Sequence, residues 1–333
     1  MNVLIGILVL TLLAIGHELG HFIFARLARV PVEEFALGFG PALLSTRRGG
    51  TVYRLNLIPV LAYVKIKGME PGDLSPDGFN AQKFWKRFLI LFGGPLCNVI
   101  LALLMFVLLF SLAPMPTTTI AEILPQSPAE LSGLRSGDKI LMIDSTPVKT
   151  WEDITLKISQ STGGSPLTFR IERDGKILDI TTTPTYLEAE KRYIVGIVPA
   201  LEKRTFVAAL GSSFTYFGQM FLIMFYSLGM LFTGKVSLSD FAGPVGIVQL
   251  TAQQAQAGFL NLLGITGILS MALGVFNLIP FPALDGGHLL FLIIEGIRGK
   301  KINPRVYNTV NTIGFIILLA FLLLVTWGDI FKL

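Results

Sequence analysis

From Phe88 to Leu112 the chain carries no charged side chain, and the same holds from Met1 to Gly16 and from Thr205 to Gly234. About 20 consecutive apolar residues are what a helix needs to cross a bilayer core of ~30 Å. Composition agrees. Of 333 residues 52% are hydrophobic and 15% charged, against about 25% charged in an ordinary soluble domain. The mean hydropathy is +0.66. These values exclude a disordered chain and argue against a water-soluble enzyme. They describe a polytopic membrane protein with at least one soluble insert.

The charges divide the chain. The first apolar run lacks the basic start and small-residue cleavage site of a signal peptide, and it leads straight into His17, Glu18 and His21. It reads as a retained transmembrane helix, 1–29. Segment 30–87 has no long apolar run, and 26–87 holds ten Lys/Arg against five Asp/Glu. The second span is 88–113. A polar block follows, with eleven Lys/Arg and twelve Asp/Glu over 114–204, and a soluble domain is expected at 115–200. Later come a third transmembrane region at 260–295, a basic loop with Arg298, Lys300, Lys301 and Arg305, and a last span at 309–328.

Basic loops face the cytoplasm. Placing both 30–87 and the Arg298 loop there puts the 115–200 domain and both termini outside. It leaves one net crossing for two apolar stretches, 205–234 and 260–295. The second holds Asp285 and leads to the basic loop, so 205–234 is expected to be an interfacial amphipathic helix, with Ser212, Tyr216 and Gln219 as a weak polar stripe. Five plain spans would put the two basic loops on opposite sides, or require a re-entrant turn near Gly243-Pro244. The net charge of +5 follows this loop pattern and implies no nucleic-acid partner. Cys97 is the single cysteine, which rules out an internal disulfide.

The chemistry lies in three histidines. His17-Glu18-Leu19-Gly20-His21 places two imidazoles four residues apart, on one helix face and within reach of one zinc ion. Glu18, beside His17, is the expected general base. Zinc lowers the pKa of a bound water to ~7. The motif lies about 22 Å along an uncharged helix at ~1.5 Å per residue, where ionisable groups are costly unless they serve a function. A third protein ligand is needed. Asp285 is isolated in a long uncharged stretch, within Asn277-Leu278-Ile279-Pro280-Phe281-Pro282-Ala283-Leu284-Asp285-Gly286-Gly287-His288. His288 is the rival, and residue chemistry alone leaves the two close. Asn277 either donates to substrate or caps the helix break.

These motifs resemble the site-2 proteases, intramembrane zinc metalloproteases, of the bacterial regulator-of-sigma-E protease type. The resemblance is carried by His17 through Phe22 with Ala25-Arg26, by Phe39-Gly40-Pro41, by Gly94-Pro95-Leu96-Cys97-Asn98, by Gly243-Pro244-Val245-Gly246-Ile247, and by Asn277 through His288. It implies His17, His21 and Asp285 as zinc ligands and Glu18 as base, with His288 outside the ligand set. Asn277 and Asn98 are the candidates for contacting substrate or transition state. It further implies four transmembrane helices around the zinc, in a bacterial inner membrane. The substrates would be single-span membrane proteins, such as an anti-sigma factor or a signal-peptide remnant, and an upstream site-1 protease would act on the same substrate.

Within 30–87, residues 51–67 alternate with period two, as strands with Pro59 near the turn. The family has here a membrane-dipping β element whose edge pairs with unwound substrate. In 115–200, Gly133-Leu134-Arg135-Ser136-Gly137-Asp138-Lys139-Ile140 resembles the PDZ signature. One PDZ domain would thus be inserted between spans two and three, where the known relative has two. The competing function class, a metal or ion permease using the buried His and Asp as a pathway, finds no inverted repeat here.

Overall fold

The computed structural model describes residues 2–70, 72–73, 75–161, 164–188, 192–203, 205–232 and 242–331. They form two compact units, one of 1–109 with 210–333 and one of 110–209.

The first unit opens with helix α1, Asn2–Leu27, whose first half is apolar apart from Asn2 and Thr11 and whose second half carries His17, Glu18, His21 and Arg26. Arg29, at φ 61°, turns the chain out of it. Strands β1 (Val32–Arg48) and β2 (Thr51–Ile66) follow. The turn between them is at Gly49-Gly50, with φ of 57° and 85°, the left-handed pair that a tight hairpin demands. Pro59 lies within β2 at a second reversal, because 52–55 and 62–65 pair with 34–37 in opposite directions and Leu61 between them is at φ 65°. The β element extends over 32–66 rather than beginning at 51. Phe35 lies opposite both Val64 and Tyr53, so the ribbon is doubled over on itself. Gly38 permits this fold. A Cβ there would lie 2.1 Å from the Ile58 carbonyl oxygen. The outer part of the ribbon exposes Phe39, Leu43, Leu44, Leu57, Ile58 and Leu61. Helix α2, Phe84–Leu112, contains Pro95.

The second unit is β-rich: β3 (Met115–Ile123), α3 (Pro128–Ser132), β4 (Lys139–Ile143), β5 (Thr146–Pro147), α4 (Trp151–Ser159), β6 (Leu167–Arg173), β7 (Lys176–Thr182), β8 (Thr185–Leu187), β9 (Arg192–Ile194) and β10 (Ile197–Glu202). The main sheet has the order β10-β3-β4-β6-β7. Its core is built on Ile120, Ile140, Ile143, Ile154, Phe169 and Ile171. Asp174-Gly175, both at positive φ, makes the β6–β7 hairpin turn. The sequence also carries a turn signal at Gly163-Gly164, of which Gly163 lies outside the described residues. Asp138 is fully buried and pairs with Arg173 at 2.7 Å.

The chain then forms α5 (Phe206–Phe232), α6 (Pro244–Ala257), α7 (Phe259–Asn277), α8 (Asp285–Arg298) and α9 (Pro304–Phe331). The third transmembrane region expected over 260–295, with a helix break at its prolines, is formed by two helices, α7 and α8. Pro280 and Pro282 remove backbone donors between them, and Ala283 sits at φ 74°. Among the described residues, five helices are long and apolar enough to cross a membrane: 3–27, 84–112, 206–227, 259–277 and 304–331. By length and composition α5 qualifies alongside the expected four. Lys235 and Asp240, the charges beyond it, lie outside the described residues. The protein is thus a multi-span helical membrane protein with a separate β-rich unit.

Helix α6 is held at both ends of the chain's course. At its start Asp329 of α9, a buried carboxylate, accepts from Gly243 N–H (3.0 Å) and Gly246 N–H (2.8 Å), the anion a helix N-terminus favours. Along its length it packs on α1, where a Cβ on Gly6 would lie 2.5 Å from the Val248 carbonyl oxygen.

Candidate metal centre

His17 and His21 occupy consecutive turns of α1, both buried, with rings 4.9 Å apart. Asp285 is the first residue of α8, where the helix dipole favours a carboxylate. The break before α8 folds back tightly to put it there. A Cβ on Gly286 would lie 2.2 Å from the Ile279 carbonyl oxygen, and one on Gly287 2.3 Å from that of Phe281. Asn311 of α9 takes a hydrogen bond from the Ala283 backbone at 3.2 Å.

These elements bring three ligand atoms together. His17 Nε2 lies 2.9 Å from Asp285 Oδ2, His21 Nε2 lies 3.4 Å from the same oxygen, and the two Nε2 atoms are 3.3 Å apart. Two imidazoles and one carboxylate form the donor set of a catalytic zinc site, with metal–ligand bonds of about 2.0–2.1 Å. A tetrahedron with such bonds has edges of about 3.3–3.4 Å, close to the separations found. The residues fit zinc, and zinc is the cofactor this cluster supports.

Helix α2 shapes the space around the imidazoles. A Cβ on Gly94 would lie 2.3 Å from His21 Nε2, and one on Gly20 would lie 2.2 Å from the Gly93 carbonyl oxygen. The two helices therefore cross with backbone almost in contact, the device that small residues provide in membranes. Pro95 lacks the N–H that would serve the Leu91 carbonyl, and in this same part of α2 the Ile90 carbonyl accepts from His21 Nδ1 at 2.8 Å.

Glu18 is half-buried beside the cluster, its carboxylate facing the backbone of Val64 in β2. His288 is not in the ligand cluster. Its Nδ1 is 2.6 Å from the Tyr307 hydroxyl, and the two rings stack. Asn277, at the end of α7, donates to the Leu273 carbonyl at 3.0 Å. Asn98 is fully buried, with Nδ2 3.3 Å from His17 Nδ1. The sequence reading missed Gly94 as the residue that admits His21, and Asp329 as the cap of α6. Asp329 did carry a signal, an isolated acid closing a charge-free span.

Comparison with known proteins gives a consistent result. The model of peptidase family M50 matches residues 5–321. Candidate zinc metalloproteases of Clostridium acetobutylicum and Clostridium perfringens are 37% and 36% identical over 332 residues, covering 99% of this chain and 97% and 98% of theirs. One from Fusobacterium nucleatum is 33% identical over 341 residues, covering all of this chain and 99% of its own. A solved PDZ domain from Listeria monocytogenes aligns with 26% of this chain and 88% of that one at 18% identity, with a TM-score of 0.24. With a family model spanning nearly its whole length and relatives matched end to end, the chain belongs to peptidase family M50.

Proposed function

We propose that the protein is an intramembrane zinc endopeptidase that cuts the transmembrane segments of other membrane proteins. The observation that carries this reading is the convergence of His17, His21 and Asp285, from helices at opposite ends of the chain, with ligand atoms 2.9 to 3.4 Å apart. His17, His21 and Asp285 hold the metal. Bound zinc supplies an acidified water and polarises the scissile carbonyl. Glu18 accepts the proton of the attacking water and delivers it to the leaving nitrogen.

A substrate helix hides its amides in its own hydrogen bonds and must unwind to be cut. The doubled β1–β2 ribbon, with its exposed apolar rim, offers a strand edge on which the freed groups can pair. Asn277, at the mouth of the α7–α8 break, is the side chain we assign to substrate contact. We read α1, α2, the α7 region and α9 as the four spans, with α5 interfacial. The β-rich unit is then extracytoplasmic, as are both termini, in a bacterial inner membrane. That unit, read as a PDZ domain from its Gly133–Ile140 loop, filters substrates by the size of their ectodomains. Single-span membrane proteins already shortened by a site-1 protease are the substrates such a filter would pass.

The deciding assay is cleavage of a transmembrane peptide by purified protein in detergent, lost with chelator and restored with zinc, set against metal flux in liposomes. Flux without cleavage would favour a permease. Glu18→Gln is expected to lose cleavage by on the order of 10²–10⁴-fold while keeping its zinc. Loss of zinc with activity would make Glu18 a ligand instead. In a chelator titration Asp285→Ala should release zinc readily and His288→Ala should retain it. The reverse ranking would remove Asp285 from the ligand set.

A further inference from the structure

Both metal-facing histidines use their outer nitrogen on helix α2, but in different ways. His21 Nδ1 meets the Ile90 carbonyl at 2.8 Å. A carbonyl only accepts, so His21 carries its proton on Nδ1 and its Nε2 is free to bind metal. His17 Nδ1 meets the side chain of Asn98 at 3.3 Å. The spacing matches across the two helices. His17 and His21 are four apart on α1, while Ile90, Gly94 and Asn98 are four apart on α2, so they line one face. Gly94 gives the space for one ring, and the residues one turn to either side address the two rings.

Asn98 is built into its place. It is fully buried. Its backbone carbonyl accepts from Ser270 Oγ of α7 at 2.8 Å, and a Cβ on Gly274 would lie 3.3 Å from its own Cβ. The amide is placed with Nδ2 towards His17 Nδ1, and this leaves Oδ1 buried with no hydrogen-bond partner. The two ends of an amide have the same shape, and the network decides between them. With His17 binding metal through Nε2, its proton must reside on Nδ1, and a proton there requires an acceptor. The oxygen of Asn98 is the acceptor within reach once the amide turns over.

We propose that Asn98 is a positioning residue that presents Oδ1 to His17 Nδ1–H and so fixes the tautomer and ring orientation in which His17 binds zinc. It thereby acts on His17 and not on substrate. This rests on the zinc-site reading above. Outer hydrogen bonds of this kind hold a metal-bound imidazole in place, and losing one typically costs 10–100-fold in metal affinity.

The experiment measures zinc retention by the full chain in detergent against a competing chelator, for the wild type, Asn98→Asp and Asn98→Leu, with the visible spectrum of the cobalt-loaded forms. Asn98→Asp keeps the acceptor and should retain zinc at least as well as the wild type, with an unchanged cobalt spectrum. Asn98→Leu should lose zinc about 10–100-fold more readily. If both lose it equally, or if Asn98→Leu retains it fully, the proposal is overturned. With three histidines in the chain, imidazole ¹⁵N spectra of the zinc-loaded wild type provide a check that needs no variant. A proton on His17 Nδ1 is expected, and one on Nε2 would overturn the proposal. Wild-type protein that binds no zinc would overturn the metalloenzyme reading itself. Wild-type zinc with an indifferent Asn98→Leu would overturn this inference alone.

Discussion

Glycine serves the two units of this protein for different reasons. Around the metal centre, Gly20, Gly93, Gly94, Gly274 and Gly286 lie in helices, and a Cβ on any of them would come within 3.0 Å of a neighbour. In the β-rich unit, Gly133, Gly137 and Gly175 have nothing within 4 Å of an added Cβ, but sit at φ of 82°, 90° and 75°. The first set is required for space and the second for backbone angle. A membrane unit gains little from burying apolar side chains against one another, because the lipid is equally apolar. It is held by close backbone contact and a few polar links. The β-rich unit is held by an ordinary core of isoleucine, leucine and phenylalanine.

The sharpest way to break this comparison is to add one methyl group to each unit. Gly94→Ala places carbon where the His21 imidazole lies, and zinc retention should fall on the order of 100-fold. Gly137→Ala meets no neighbour, should cost about 1–2 kcal/mol of local stability through its left-handed backbone, and should leave zinc retention unchanged. Equal effects on zinc would mean that the two units are not independent in this sense.

A second test removes one side of the comparison. Deleting 117–200 with a short linker should leave zinc bound, and substrates with large ectodomains should begin to be cut. Paired cleavage assays with long and short ectodomains read this directly. A deletion that folds and keeps zinc but cuts neither substrate would give the β-rich unit a docking or catalytic role.

The smallest effect concerns the start of α4. Thr150 and Asp153 form a reciprocal capping box, in which Thr150 Oγ1 accepts from Asp153 N–H and the Asp153 carboxylate accepts from Lys149 and Thr150 N–H. Those donors hold the Asp153 carboxyl below its ordinary value. The stabilisation is therefore present above the ordinary carboxylate pKa and fades as pH falls through the lowered one. Thr150→Ala should cost about 1 kcal/mol, seen as faster hydrogen exchange at the first turn of α4 with cleavage of short substrates unaltered. Slower cleavage would tie α4 to the reaction.

The metal centre was legible where charge stood out against an uncharged background. His17, Glu18, His21 and Asp285 all announce themselves in that way. Asn98 could be found as the one amide in the run 88–112, but its partner could not, because the pairing depends on how α2 crosses α1. Strand β1 was not legible. Gly38 and Gly40 bend it, and its residues pair on both sides, so no clean period of two survives. The break between α7 and α8 was signalled by its prolines, whereas the close return of Gly286 and Gly287 onto that break is a tertiary event with no local signature.

The distance along the chain between the centre's parts also has a consequence in time. His17 and Asp285 are 268 residues apart. At roughly 5–20 residues per second of synthesis, the first helix waits about 13–54 s for its last ligand. During that interval the nascent protein carries Glu18 and both histidines into the membrane without a complete ligand set. Proteolytic competence thus arrives late in the making of the molecule, after the β-rich unit has emerged and had time to fold. A peptidase assembled in this order cannot cut its membrane neighbours before the unit proposed to choose among them exists.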